Sequence, residues 1–160
     1  MVAKSGDALL RASAVHMLKT RLIPLASLIT PNLPEAAVLL DCAEPTTLKQ
    51  MEQMAEQLLS LGSDAVLLKG GHLDDSSEAV DLLYDGHQLY PFSSPRINTR
   101  NTHGTGCTLA SAIAAGLASG LSLCEAVQQA KDYIYAAISA ADRLHVGHGH
   151  GPVHHFHRYW

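Results

Sequence analysis

The sequence is poor in the features that several large classes of protein require. It contains 3 cysteines in 160 residues, and this odd, widely spaced set predicts neither a disulfide framework nor a zinc ribbon. Lys and Arg number 11 against 15 Asp and Glu, a net charge of −4, so the chain lacks the positive charge that binds nucleic acid or an anionic membrane. Residues 1–21 contain no apolar stretch of the signal-peptide kind, and no segment has the apolar length that spans a bilayer. These absences favour a cytoplasmic, reducing setting with no nucleic-acid or membrane partner.

The chain does have enough apolar sequence for one packed domain, since hydrophobic residues make up 47% of it. Two continuous apolar runs, residues 27–30 and 65–69, are typical of strands that are covered on both faces in a parallel sheet. The pair Asp85-Gly86 lies between two strand-like runs and predicts an antiparallel hairpin.

Helical patterns alternate with these runs. Helices are predicted over residues 33–40 and 107–119, and the last helix reaches about residue 145. Three helix starts carry an N-cap signal: Ser13, Thr47 with Gln50, and Ser122 with Glu125. The order predicts an α/β fold, a mainly parallel sheet with helices on both faces and an antiparallel hairpin towards the C-terminus.

The sheet predicted by these patterns is small for its class. Two buried parallel strands and one hairpin are recognisable, and the opening residues MVAKSGD resemble a strand end and loop without the strand that should precede them. We therefore expect residues 1–160 to be the C-terminal portion of a single domain whose N-terminal part is absent.

The segment NTHGTGCTL, residues 101–109, carries the strongest chemical signal. Gly104 and Gly106 let the backbone approach a ligand, and a helix that begins here directs free N–H groups and a partial positive charge at the same point. This combination predicts an anion site, with Cys107 in the first turn, where the helix dipole favours a thiolate. The plainer alternative is that the glycines only form a turn and that Cys107 only packs. The segment matches neither the phosphate loop of Walker-type ATPases nor the nucleophile elbow of hydrolases.

Two further segments contain residues suited to phosphate and metal chemistry. Asn32 and Glu35 are three positions apart at a predicted helix start, so their oxygens face one way and suit Mg²⁺ directly or through its waters. Lys69 ends a predicted strand, at the point where α/β proteins bind ligands. The plainer alternatives are a helix cap with a first-turn acid, and a solvated lysine at a strand end.

These motifs, taken with MVAKSGD, LITPNLPEA, LLKGGHL and GHGHGPVHHF, resemble the bacterial hydroxymethylpyrimidine/phosphomethylpyrimidine kinases of thiamine biosynthesis over essentially the whole chain. The resemblance implies a partial ribokinase-like three-layer sandwich, with ATP and Mg²⁺ as cofactors. It also implies a small pyrimidine substrate, whose pocket lies mostly in the N-terminal part, and a homodimer for full-length members.

The resemblance also implies a role for each candidate residue. The kinases transfer the γ-phosphate of ATP to hydroxymethylpyrimidine and then to its monophosphate. By this match, Asn32 and Glu35 organise Mg²⁺ and the phosphates, Lys69 contacts the nucleotide, and Cys107 takes the hydroxyl proton. Four residues supply the backbone of the anion hole: Gly104, Thr105, Gly106 and Cys107.

Three other functions stay open on the sequence. The chain could be an inactive fragment that retains only nucleotide or partner binding, or it could have a pyridoxal kinase-like activity. A cysteine acyl-transfer enzyme with His103 as the base is weaker, because the sequence offers no third residue to orient the histidine.

The C-terminal segment is rich in histidine, and imidazoles suit Zn²⁺, Ni²⁺ or Cu²⁺. No cysteine or carboxylate accompanies these histidines at the spacing of a structural metal site. The family resemblance covers most of this segment, so we expect it to close the domain by packing on it. The five histidines are His148, His150, His154, His155 and His157.

Overall fold

The computed structural model describes residues 10–71, 73 and 78–160, and the chain divides into two compact units, Met1–Ser93 and Ser94–Trp160. The opening MVAKSGD and His72 of the LLKGGHL motif lie outside the described residues. Within the described part, no helix is both long enough and apolar enough to cross a membrane.

Helices and strands alternate in the manner of an α/β chain. The first unit contains α1 (Ala12–Met17), α2 (Leu33–Leu40), α3 (Leu48–Leu59), β1 (Val66–Lys69), β2 (Glu78–Tyr84) and most of β3 (Leu89–Pro95). The second contains α4 (Thr105–Ala118) and α5 (Leu123–Ser139). Between α1 and α2 the chain makes a wide helical turn at Leu18–Leu22 and a 3₁₀ turn at Ile23–Leu25.

The core of the first unit forms where α2 and α3 pack on β1 and β2. Helix α3 places its apolar side chains at helical spacing, and four are buried: Met51, Met54, Ala55 and Leu58. In β1, Val66, Leu67 and Leu68 are all fully buried, so both faces of this strand are covered. The burial predicted from the continuous apolar run is confirmed.

The predicted strand over residues 27–30 does not form a regular strand. Ile29 and Asn32 instead make single parallel bridges to β1. The Leu67 N–H donates to the Ile29 carbonyl at 2.8 Å, but Pro31 has no N–H with which to continue the ladder. The segment therefore pairs with β1 in parallel only at isolated bridges, because Pro31 interrupts the hydrogen-bond ladder.

The regular strands form one sheet in the order β1-β2-β3. β1 and β2 are antiparallel, with Lys69 opposite Asp81, and β2 turns into β3 at Gly86, whose φ of 90° favours glycine. The hairpin prediction is confirmed. A mainly parallel sheet is not, because parallel pairing in the described residues is limited to isolated bridges. A continuous apolar run indicates that a strand is buried on both faces, but it does not indicate the direction of the neighbouring strand.

Helices α4 and α5 pack closely in the second unit. Gly116 of α4 is buried, and a Cβ at this position would lie 3.1 Å from the Cβ of Ala126 on α5. The predicted capping box is present: Glu125 N–H donates to Ser122 Oγ at 3.4 Å, and Ser122 N–H donates to Glu125 Oε2 at 2.9 Å. A 3₁₀ turn at Ala141–Arg143 follows α5 and brings the helical region close to its predicted end.

Three helix starts differ in detail from the prediction. Helix α4 begins at Thr105 rather than Cys107, because Gly104 occupies the N-cap position without a side chain to signal it. Helix α1 begins with Arg11 at the N-cap and no side-chain cap bond, so Ser13 lies inside its first turn. At α3 the Thr47 hydroxyl accepts from Gln50 N–H at 3.2 Å, but the Gln50 side chain bonds Thr46 instead of closing the box.

The closing segment, residues 144–160, packs on the second unit as expected. Val153 and His154 are buried, and His154 N–H donates to the Ala137 carbonyl of α5 at 2.9 Å. The Tyr133 hydroxyl of α5 donates to the His155 carbonyl at 2.9 Å. Within the described residues, no three histidine, cysteine or acidic side chains are grouped as a metal site.

Candidate functional site

The N-terminus of α2 holds Asn32 and Glu35 together through a reciprocal capping box. Glu35 N–H donates to Asn32 Oδ1 at 2.8 Å, and Asn32 N–H donates to Glu35 Oε2 at 3.0 Å. Pro34 fits the first turn because a first-turn N–H has no partner within the helix. The structure thus shows the plainer role of both residues, a helix cap. Asn32 Oδ1 carries two lone pairs and its capping bond uses one of them, so the cap does not exhaust this oxygen.

Lys69 lies beside this cap. It is the last residue of β1, and Asn32 makes its parallel bridge to Lys69, where Lys69 N–H donates to the Pro31 carbonyl at 2.9 Å. Three of the residues predicted from the sequence, Asn32, Glu35 and Lys69, are therefore brought together by α2 and the carboxyl end of β1. We call these three residues the first cluster.

Asp81 of β2 adjoins the first cluster and was missed in the sequence. It lies opposite Lys69 in the β1–β2 register, is 8% exposed, and its Oδ1 accepts from Gly70 N–H at 3.0 Å. Gly70 cannot carry a side chain here, because a Cβ would meet the Val80 carbonyl oxygen at 2.3 Å and the Met51 sulfur at 2.7 Å. The available signal was a single acid within the apolar run AVDLLY.

The turn into α4 holds the other predicted residues, Gly104 to Cys107, which we call the anion turn. Gly104 has φ 87°, a left-handed conformation that favours glycine, although an added Cβ would meet nothing closer than 3.9 Å. Thr105 N–H donates to the Thr102 carbonyl at 3.3 Å. Gly106 and Cys107 lie in the first turn of α4, where N–H groups have no acceptor within the helix. The anion turn thus presents N–H groups at the positive end of the helix dipole.

Cys107 is exposed in this first turn. In the described part of the chain its thiol makes no hydrogen bond, to His103 or to any other residue. The His103 backbone is engaged instead, since its N–H donates to the Gly151 carbonyl at 3.0 Å. This geometry gives no support to a cysteine–histidine pair for acyl transfer, which needs nucleophile and base within hydrogen-bond reach.

A groove of about 750 Å³ opens beside Cys107 within the second unit. Helix α4 contributes Cys107 and Ala115 to its walls, α5 contributes Tyr133, and the closing segment contributes Arg158. No motif in the sequence predicted this groove, because its walls come from segments distant along the chain.

The first cluster fits Mg²⁺ in the way that nucleotide-dependent enzymes hold it. Amide and carboxylate oxygens are hard ligands, and Mg²⁺ keeps several waters while binding one or two carboxylates and the phosphates of the substrate. Such a site does not need a cage made only of protein side chains. Asn32 and Glu35 would hold the ion or its waters, and the ion would neutralise phosphate charge.

Comparison with known proteins identifies the family. The family model described as phosphomethylpyrimidine kinase matches residues 1–154. The chain belongs to this family. Among curated members, a hydroxymethylpyrimidine/phosphomethylpyrimidine kinase from Rhizobium meliloti is 57% identical over 160 residues, which are 100% of this chain and 60% of the relative. This member of the phosphomethylpyrimidine kinase family thus spans three-fifths of that relative's length.

Solved kinases have a similar structure. The ADP complex of Bacillus subtilis pyridoxal kinase matches with a TM-score of 0.85 and 37% identity, over 92% of this chain and 56% of that one. A phosphomethylpyrimidine kinase from Clostridium difficile 630 matches with a TM-score of 0.73 and 40% identity, over 86% of this chain and 54% of that one. The α/β architecture is therefore similar to part of these two kinases.

Proposed function

We propose that this chain carries the phosphate-handling part of a cytoplasmic kinase that phosphorylates hydroxymethylpyrimidine, and then its monophosphate, with ATP in thiamine biosynthesis. The observation that carries the proposal is the 57% identity over all 160 residues to the R. meliloti kinase. The family resemblance further supports a ribokinase-like three-layer sandwich with a mainly parallel sheet in the complete domain, and a homodimer of the complete kinase.

In this proposal the first cluster binds the charged end of the nucleotide. Asn32 and Glu35 organise Mg²⁺ and the phosphates, and Lys69 contacts the phosphates. Phosphoryl transfer depends mostly on positioning and on stabilising charge, so fixed groups are what the reaction requires. The capping box and the bridge between Asn32 and Lys69 support the assignment, because they hold these side chains on rigid elements.

The anion turn stabilises the phosphoryl group during transfer. Its backbone, Gly104 to Cys107, includes the N–H groups of Gly106 and Cys107, which have no acceptor within the helix and need no rearrangement as negative charge develops. Cys107 takes the proton of the substrate hydroxyl. Support comes from the exposure of the thiol in the first turn of α4 and from the absence of any competing hydrogen bond in the described residues.

We propose that the part of the family domain outside the matched 60% is N-terminal and covers the exposed face of α4. Helix α4 has no charged residue from Thr105 to Ala118, and a helix that is apolar on all sides is normally buried. Five of its small side chains are nevertheless exposed: Cys107, Ser111, Ala114, Ala115 and Ala118. Small residues let another backbone approach closely, so a further layer of the domain suits this face.

A chimera tests the function directly. In it, this chain replaces the matching 60% of the R. meliloti kinase, whose remaining residues supply the rest of the domain. We expect ADP release that depends on hydroxymethylpyrimidine, with the parent kinase as the positive control and substrate-free chimera as the negative control. A folded chimera that binds ADP without turnover would favour the alternative of an inactive fragment.

A pyridoxal kinase-like activity is the second candidate, and the similarity to B. subtilis pyridoxal kinase favours it. The same chimera assayed with pyridoxal distinguishes the two. Because the pyrimidine pocket is assigned to the N-terminal part, substrate choice should follow the source of that part. We therefore expect that the preferred substrate changes, while turnover persists, when the R. meliloti part of the chimera is replaced by the corresponding part of the B. subtilis pyridoxal kinase.

A further inference from the structure

A network of hydrogen bonds ties the segment before the anion turn to the closing segment. Asn101 lies at its centre: its Nδ2 donates to Asp142 Oδ1 at 2.9 Å, and its Oδ1 accepts from Gly151 N–H at 3.0 Å. The Thr99 hydroxyl donates to the same Asp142 oxygen. We call Thr99, Asn101, Asp142 and Gly151 the clasp.

The clasp continues into the anion turn through the backbone. His103 N–H donates to the Gly151 carbonyl at 3.0 Å, and Val153 N–H donates to the His103 carbonyl at 3.2 Å. These two bonds form the parallel bridge between His103 and Pro152. His103 directly precedes Gly104, the N-cap of α4, so the position of Gly151 sets the position from which the turn begins.

Asn101 and Gly151 fit each other closely. A Cβ at Gly151 would lie 2.3 Å from Asn101 Oδ1 and 2.8 Å from its Cγ, so a side chain here would displace the amide. Asn101 must both donate to a carboxylate and accept from a backbone N–H, which an amide can do and a carboxylate cannot. The chemistry therefore specifies asparagine at one position and glycine at the other.

We propose that Asn101, held by Asp142, is a positioning residue for the anion turn. It fixes the closing segment against His103 and thereby aims the N–H groups of Gly104 to Cys107. The inference rests on the proposed function, in which these groups bind the phosphates of ATP. It gives the closing segment a part in phosphate binding although no side chain of that segment need touch the ligand.

The test uses the 160-residue chain labelled with ¹⁵N, with tripolyphosphate as the probe. Asn101→Ala and Asp142→Ala are expected to shift the amide resonances of Gly104 to Cys107 in the free protein and to weaken tripolyphosphate binding about tenfold, the equivalent of one displaced charged hydrogen bond. Asp142→Asn keeps an oxygen that accepts from Thr99 and Asn101, so it should restore binding to within roughly twofold of wild type.

Ser122→Ala is the matched control, since it also removes an exposed hydrogen-bonding side chain next to α5, but at the opposite end of a helix about 25 Å long. It should lower stability without moving the resonances of the anion turn.

Equal effects of Ser122→Ala and Asn101→Ala on the turn resonances, or unchanged turn resonances in Asn101→Ala, would overturn the inference. If Asn101→Ala does not fold, the comparison of Asp142→Ala with Asp142→Asn decides it. Absence of tripolyphosphate binding by the wild type counts against the proposed role of the turn, and the resonances of the free protein still decide the role of the clasp.

Discussion

At the scale of single residues, the thiol of Cys107 carries the most specific chemical assignment. In the chimera we expect Cys107→Ser to keep its affinity for ADP, because the backbone N–H groups of the anion turn remain. Its kcat should fall by about 10²- to 10⁴-fold, the usual contribution of a positioned general base, because a hydroxyl is a far weaker base than a thiolate. Steady-state kinetics with hydroxymethylpyrimidine and calorimetry with ADP measure the two quantities.

Cys42→Ser is the control for this substitution. Cys42 is also an exposed free cysteine, and it belongs to neither the first cluster nor the anion turn. It should leave kcat unchanged. If both serine variants turn over at the wild-type rate, Cys107 only packs and another group accepts the proton.

A conservative substitution can separate the proposed Mg²⁺-binding role of Glu35 from its role in the helix cap. In Glu35→Gln the amide oxygen still accepts from Asn32 N–H, so α2 should keep its stability to within about 0.5 kcal/mol. The lost charge should raise the Mg²⁺ concentration for half-maximal activity of the chimera by about tenfold. Glu125→Gln is a matched control, because Glu125 has the same place in the capping box of α5. Equal Mg²⁺ dependence in the two glutamine variants would leave Glu35 as a cap alone.

At the scale of elements, the β2–β3 hairpin contains a titratable turn. Asp85 Oδ1 accepts from Gln88 N–H at 2.8 Å and from His87 N–H at 2.9 Å, and Tyr90 OH donates to Oδ2 at 3.1 Å. These bonds, chiefly the one from Gln88, lower the pKa of Asp85 below its ordinary value of 3.8. Because the pKa is depressed on folding, the stabilisation is present above pH 3.8 and is lost as the pH falls through the folded value.

Asp85→Asn tests this pH dependence. Asparagine does not titrate, so the stability advantage of wild type over the variant should shrink as the pH falls from about 5 towards 2. The urea midpoints of both proteins across this range measure it, and the other carboxylates cancel in the difference. An advantage that stays constant with pH would show that the charge of Asp85 does not stabilise the hairpin.

The elements differ in how far the sequence predicts them. Helices α2 and α5 and the hairpin were predicted because their signals are local: a cap three residues from its partner, and an Asp-Gly turn. The direction of strand pairing was not, because it depends on which distant segment lies beside β1. The sequence predicts a start of α4 two residues beyond the observed one, because the N-cap is a glycine, which has no side chain to signal it.

The same distinction applies to the candidate site. Sequence motifs single out the residues of the first cluster and the anion turn, because each sits at a recognisable strand end or helix start, and their functional roles stay predictions. Asp81 was missed because its contact, Gly70, directly follows the neighbouring strand β1 and lies 11 residues away in the sequence. The clasp was missed because Asn101 and Gly151 are 50 residues apart. Contacts of that range leave no periodic trace in a single sequence.

At the scale of the whole molecule, the proposed function places the phosphate-handling residues and the substrate pocket in different parts of the family domain. The match covers 60% of the R. meliloti kinase, and the proposed pyrimidine pocket is assigned to the remainder. Without that pocket, the substrate hydroxyl is not held near the γ-phosphate, and about 7–11 kcal/mol of proximity advantage is unavailable. We therefore expect the 160-residue chain, incubated alone with ATP, Mg²⁺ and hydroxymethylpyrimidine, to release almost no ADP in a pyrimidine-dependent way.

Addition of the remaining part of the R. meliloti kinase as a separate polypeptide should restore ADP release, because we propose that this part docks on the exposed face of α4. Ala115→Arg puts a long charged side chain on this face and should abolish the restoration without unfolding the chain. Gln128→Arg is the control, since Gln128 is exposed on α5 and arginine can still donate to Asp132. A coupled ADP-release assay measures the mixtures that contain the wild-type, Ala115→Arg and Gln128→Arg chains.

Strong turnover by the chain alone would show that its own residues form the pyrimidine pocket. Equal restoration in both arginine variants would place the docking surface elsewhere.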